Sequence, residues 1–209
     1  MKNIFKILSV LFLISCKAQT ITPLYPVDSS PTNEIIVNQY YKDVDNDYNP
    51  YVGTWKWESG NNSLTIIFNK VVYNNNGHGD FSDLLVGEYQ YIENGVELVN
   101  TFPLIEPIGI PNIVNQEDPW ENNIVSIRIA DTHKGIPPCP ECAPNTRFII
   151  LEISDPAKPN LMGDIVMARF VESSVEKIRA RIYKTHNLSN SNGELSIPEN
   201  SIYTLIKQN

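Results

Sequence analysis

From residue 51 onward, apolar and polar side chains take turns along the chain. A strand points successive side chains to opposite faces, so this spacing demands half-buried strands with one wet face. Val125, Ile127 and Ile129 fall on one side, and Ser126 and Arg128 on the other. Ile178, Ala180 and Ile182 likewise alternate with Lys177, Arg179, Arg181 and Tyr183. The same period runs more weakly over 64–72, 84–92, 147–153 and 165–171, with a short segment at 52–57 opening the series and 202–207 closing it. Asn94-Gly95 fits a two-residue hairpin turn that needs positive φ, and Asn74 to Gly77 and Asp155 to Pro159 are loop signals. No long amphipathic helix is apparent. Eight to ten sequential strands have two economical solutions, and we expect an antiparallel up-and-down β-barrel, with a two-sheet sandwich as the alternative.

The first twenty residues follow a different rule. Lys2 and Lys6 precede the apolar run Ile7 to Ile14, which is too short for a permanent transmembrane helix of roughly 20 residues. It has the length of a secretory signal. Leu13-Ile14-Ser15-Cys16 resembles the lipobox of bacterial lipoproteins. In that family the cysteine thiol carries diacylglycerol, the signal is cut before it, and the new amine is acylated. The resemblance implies cleavage after residue 15, a lipid anchor on Cys16 and a membrane as partner. Lys17, in place of an aspartate, favours the outer membrane by the sorting rule of many such proteins. We therefore divide the chain into a signal peptide (1–15), a lipid-anchored tether (16–48) and a barrel domain (49–209). A competing reading of the tether is a short helix over 32–44, with Ile36, Tyr40 and Val44 spaced four apart.

Charge narrows the partners. The chain has 16 basic and 24 acidic residues, a formal charge of −8 that becomes −10 once Lys2 and Lys6 are removed with the signal. Phosphate backbones are bound by a surplus of Lys and Arg, so nucleic acid is not an expected partner.

Asn49-Pro50-Tyr51-Val52-Gly53-Thr54-Trp55 opens the first strand, and Gly53-x-Trp55 resembles the signature of the lipocalins and wider calycins. That resemblance implies barrel closure by Gly53 and Trp55, with the indole beside a basic residue of a late strand, for which Arg179 and Arg181 are nominated. The lipocalins' second signature, Thr-Asp-Tyr, is not found in the middle of the chain. Together the lipobox, Tyr41-Lys42-Asp43, Val52 to Trp55, Asp83 to Tyr89 and Glu93 to Glu97 resemble an uncharacterised family of Bacteroidetes lipoproteins. That likeness speaks for anchor and fold and supplies no catalytic residue.

Cys139-Pro140-Glu141-Cys142 leaves two thiols once Cys16 is acylated, and an oxidising compartment makes a disulfide the default. Redox chemistry and a zinc site using His133, Cys139 and Cys142 are the alternatives, but neither the βαβ setting nor a fourth ligand is evident. Asp43-Val44-Asp45-Asn46-Asp47 has the carboxylate spacing of a calcium loop, yet Tyr48 and Thr54 stand where such a loop needs Gly and Glu. His78 and His186 read as exposed loop histidines. No Gly-x-Ser-x-Gly, phosphate loop or dinucleotide fingerprint occurs, so we nominate no catalytic residue, metal or cofactor and expect no enzyme.

The segment Thr101 to Asn123 is apolar, rich in proline and too long for a simple hairpin connection. It can cover a barrel mouth, offer a patch to a partner, or pack on the barrel's outside. Phe102, Ile105 and Trp120 are the candidate lid residues. The leading expectation is a non-enzymatic envelope lipoprotein whose barrel binds a small apolar or amphipathic ligand. The rival is a protein-interaction or structural module of the envelope.

Overall fold

The computed structural model describes residues 19–26, 38–75, 77, 79–104, 113–114, 119–159, 161–187 and 193–208, with backbone alone at 113–114 and 184–187. Its strands are β1 (Thr20–Pro23), β2 (Gln39–Lys42), β3 (Gly53–Ser59), β4 (Asn62–Asn75), β5 (Phe81–Glu93), β6 (Val96–Asn100), β7 (Ile113–Val114), β8 (Ile124–Ala130), β9 (Phe148–Ser154), β10 (Leu161–Glu172), β11 (Val175–Asn187) and β12 (Ile202–Lys207). Neighbours run β3-β4-β5-β8-β9-β10-β11-β12, every pair antiparallel. β12 then returns to β3 through Ile206 opposite Lys56 and Lys207 opposite Trp55. That last ladder closes an eight-stranded up-and-down barrel and removes the sandwich. Each of the eight alternating segments is one of its staves.

The remaining strands dress the outside. β6 is a hairpin on the end of β5, turned by Asn94 and Gly95 with φ of 52° and 79°. β7 lies parallel to β4 opposite Val71 and Val72. β2 joins β5 in parallel at Phe81 and Ser82, and β1 joins β2. Two parts of the segment read as a tether are therefore docked on the sheet. Gln39–Lys42 is a strand, which overturns the helical reading over the described part of 32–44, residues 32–37 lying outside the described residues; Tyr40 is instead a cross-strand aromatic, 4.9 Å from Tyr73.

The interior is filled by side chains. Trp55, Leu64, Ile66, Phe68, Leu85, Tyr89, Ile149, Leu151, Ile165, Met167, Ile178 and Leu205 are all nearly or wholly removed from water in one continuous cluster. Full burial of each such side chain contributes about 1.5–3 kcal/mol, and eight staves leave an interior just wide enough for side chains to fill. Gly87 gives Phe68 its room, since a Cβ there would lie 2.8 Å from the Phe68 ring and 2.7 Å from the Ile67 carbonyl oxygen.

Both ends are plugged. At the end where β3 begins, a 3-10 turn at Asn49–Tyr51 brings in Tyr48 and Tyr51, and the Trp55 Nε1–H donates to the Tyr51 carbonyl at 2.6 Å. At the other end the segment 193–200 sends Leu195 and Ile197 into the core. Asp155 holds that segment by accepting from the Ser196 N–H at 2.7 Å.

Strict alternation fails in one stave. The ladder between β8 and β9 slips between Ser126 and Arg128, so Ile127 is an extra residue with no partner opposite it. A β-bulge of this kind re-aims side chains. Ile129 is buried, Val125 is buried under cover on the outer wall, and Ile127 is 54% exposed. The expectation that all three share one face is thereby corrected.

Candidate functional site

The long connection between β6 and β8 is pinned at both described ends to the outer wall of the barrel. On the incoming side, the Thr101 N–H donates to the Tyr89 carbonyl, and the Tyr89 N–H to the Thr101 hydroxyl, each at 2.9 Å. On the outgoing side, the backbone N–H and Nδ2 of Asn123 donate to the two carboxylate oxygens of Glu88, at 3.2 and 2.8 Å. The Ser154 N–H of β9 donates to the Asn123 carbonyl at 2.8 Å. Glu88 is wholly buried, and burial holds its carboxyl above the ordinary value of 4.5 against the opposing Asn123 donors.

This frame fixes a 3-10 turn at Pro119–Glu121. Pro119 is buried, Asn122 caps the turn by donating from Nδ2 to the Pro119 carbonyl, and Trp120 is left 52% exposed. Beside the indole lies a groove of about 320 Å³ lined by Trp120, Val125, Ile127, Glu152 and Met162. Ile127 shares the outer face with Val125, and the bulge at this residue returns Ile129 to the interior. A large aromatic and a branched aliphatic thus stand in water next to each other on a rigid β wall, the composition that marks contact sites more often than scattered surface apolars do. Sequence reasoning found Trp120 but assigned Ile127 to the core, because a bulge leaves no signature in a period-two pattern.

The other nominated residues lie elsewhere. Phe102 is half-buried in the turn Phe102–Leu104; Ile105 and most of the apolar stretch after it fall outside the described residues, as do Cys16 and His78. Gly53 has φ of 118°, a conformation only glycine adopts without strain, and it opens the first stave. Trp55 is fully buried, and the cation over its ring is Lys207 of β12, 5.4 Å from the centroid. Arg179 and Arg181 point outward instead. Arg179 pairs with Glu141 and lies over Phe170, and Arg181 donates to Asn200, because their positions alternate with the inward Ile178, Ala180 and Ile182.

Cys139 and Cys142 are at disulfide distance, with Sγ atoms 1.99 Å apart. Their loop folds over the outer wall, where Ile136 and Cys142 pack on Phe148, Ile150 and Val166. His133 faces Tyr183, whose hydroxyl is 3.1 Å from its Nε2. Among the described residues no group of three His, Cys, Asp or Glu is arranged to hold a metal. His186 belongs to β11, opposite Met162, and not to the loop in which the sequence placed it. The calcium-like run is consumed by the protein's own cations. Asp43 pairs with Lys70 at 2.8 Å, and Asp45 and Asp47 share Arg147 at 2.6 and 2.7 Å.

Residues 1–208 match the model of a family of unknown function, DUF6705. No curated protein and no solved structure matches the chain.

Proposed function

The chain belongs to this family of unknown function, and from that premise we propose that it is a non-enzymatic, lipid-anchored envelope module that grips another envelope protein through its outer wall. The observation that supports this reading best is where the large apolar side chains sit. Those inside the barrel occupy the space a carried ligand would need, and both mouths are plugged by the chain itself. Those outside, Trp120 and Ile127, stand exposed in a preformed groove. Interfaces concentrate their energy in such aromatic anchors, and a rigid presenting frame spares the ordering cost of binding. The acyl groups on Cys16 keep the module at the membrane, since two or more chains give stable anchoring.

The test is a photo-crosslinking amino acid at Ile127 in intact cells. A single stoichiometric protein adduct, lost when Trp120→Ala is added, is expected. A protein recovered without any adduct, but with a reproducible small-molecule mass in native mass spectrometry, would overturn the module and restore the carrier.

A further inference from the structure

We infer that acylated Cys16 holds the barrel end-on to the bilayer, with the β4–β5 hairpin tip against the lipid headgroups and the Trp120 groove turned away from them. This rests on the lipid anchor proposed above and adds an orientation to it. The first observation is chain length. Lys17, Ala18 and Gln19 are the only residues between Cys16 and β1. Four Cα steps span at most about 14 Å, however those residues are arranged.

The second observation is direction. β1 runs parallel to β2, and β2 runs parallel to β5, so β1 starts at the end where β5 starts. Thr20 lies opposite Gln39, and the Gln39 N–H donates to Asp80 at the foot of the β4–β5 hairpin, 3.0 Å away. The chain therefore leaves the barrel toward the anchor from the hairpin tip. Ile21, 56% exposed, and the ring group Tyr40, Tyr73 and Phe81 surround that exit. Tyrosines and apolar side chains are the residues favoured at headgroup level.

The third observation is charge. At the plugged end by the tip, Arg147, Arg169, Lys177 and Lys207 neutralise Asp45, Asp47, Glu172 and Glu176. The opposite end carries Glu93, Glu97, Glu121, Glu194 and Glu199, and the Lys158 ammonium there is turned to the Glu194 carbonyl. An anionic lipid surface repels that end and tolerates the paired one. β4 covers about 43 Å from Asn62 to Asn75 at the usual rise, and a stave tilt near 40° leaves roughly 33 Å along the barrel axis. The groove, flanked by the last residues of β9 and the first of β10, lies toward the far end of that height.

The test uses the full, acylated chain in vesicles of phosphatidylethanolamine and phosphatidylglycerol that contain a headgroup nitroxide lipid. A fluorophore is attached at Asn75→Cys near the tip or at Asn61→Cys at the far turn, both exposed positions. Flotation with the vesicles, absent in Cys16→Ala, reports the anchor. Given flotation, quenching at residue 75 exceeds that at 61 by at least about threefold, because some 30 Å separates the two heights. Inserting a 20-residue Gly-Ser stretch after Lys17 abolishes the difference while flotation persists. Flotation with equal quenching at the two positions, or with residue 61 more quenched, overturns the orientation alone. A wild-type chain that does not float overturns the anchor, and the orientation falls with it.

Discussion

Replacing Lys70 with methionine is the sharpest probe of how the plugged end is held. Lys70 follows Phe68 on the inner side of β4, and its ammonium reaches the Asp43 carboxylate and the Asn49 side-chain oxygen, both at 2.8 Å. Both charged side chains are almost completely buried, 4% and 1% exposed. At 2.8 Å and an effective dielectric constant of 20, the gross attraction is about 6 kcal/mol. Much of that offsets the desolvation of the two ions, so the pair's net contribution is small. Removing only the cation is a different matter. Asp43 would keep the Asp47 and Tyr48 N–H donors, at 2.8 and 3.0 Å, but would remain a buried, unneutralised charge.

Methionine preserves the buried stem, so lost packing is minor. Breaking one side of such a pair costs about 3–5 kcal/mol, and a domain of this size loses roughly 2–4 °C of Tm per kcal/mol. Lys70→Met should therefore lower Tm by about 6–20 °C, read by circular dichroism alongside a urea titration. Adding Asp43→Asn removes the stranded charge, and the double variant should be more stable than Lys70→Met alone. A single-variant cost below about 1 kcal/mol, the figure for a solvent-screened surface pair, would refute the buried pair. So would a double variant whose loss equals the sum of the two single losses.

Three further outcomes follow from the same contacts. Glu88 binds its proton more tightly in the folded chain than in the unfolded one, so stability falls as pH rises from 4.5 through the raised folded value. Glu88→Gln should flatten that slope in urea midpoints taken between about pH 4 and 8, and an unchanged slope would place its cause elsewhere. Gly87→Ala forces a methyl to 2.7 Å from the Ile67 oxygen and 2.8 Å from the Phe68 ring, so a loss of about 1–3 kcal/mol or more is expected by chemical denaturation. Trp120→Ala, at a position 52% exposed, should cost under about 1 kcal/mol yet abolish the crosslink at residue 127; a large stability loss would mean the indole serves the fold and not a partner.

The staves were legible because burial on one face imposes a period that survives in the sequence, as at Ile178, Ala180 and Ile182. Asn94-Gly95 was legible because positive φ at two successive residues restricts composition. The turn between β10 and β11 was not, since it places Ser173 and Ser174 at φ of 51° and 64° without asparagine or glycine. The docking of β1 and β2 was also hidden. Backbone pairing at an edge requires no alternation, and four residues are too few to display one. Lys207, not Arg179 or Arg181, lies over Trp55 because the sense of β12 relative to β3 decides which basic residue reaches the indole, and that sense appears only once the barrel closes.

What unites the plugs and the surface site is one device, a carboxylate on or beside a stave that captures donors of an irregular segment. Asp83 of β5 accepts from the Asp43 N–H, the Tyr73 N–H and the Tyr40 hydroxyl. Asp155, just past β9, accepts from the Ala157 and Ser196 N–H groups, and Glu88 of β5 accepts twice from Asn123. Irregular backbone laid on a barrel wall brings N–H groups that no ladder satisfies, and a buried unsatisfied donor costs about 1–3 kcal/mol. Each carboxylate removes that penalty and fixes the segment's height above the wall. Because Glu88 and Ser154 bind the Asn123 backbone while Asn122 caps the turn before it, Trp120 is presented by a frame that is already satisfied before any partner arrives. A preorganised anchor of this kind gains affinity mainly by sparing the ordering cost. Weakening the frame through Glu88→Ala should therefore slow association and speed dissociation of the crosslinked partner while leaving the indole itself untouched.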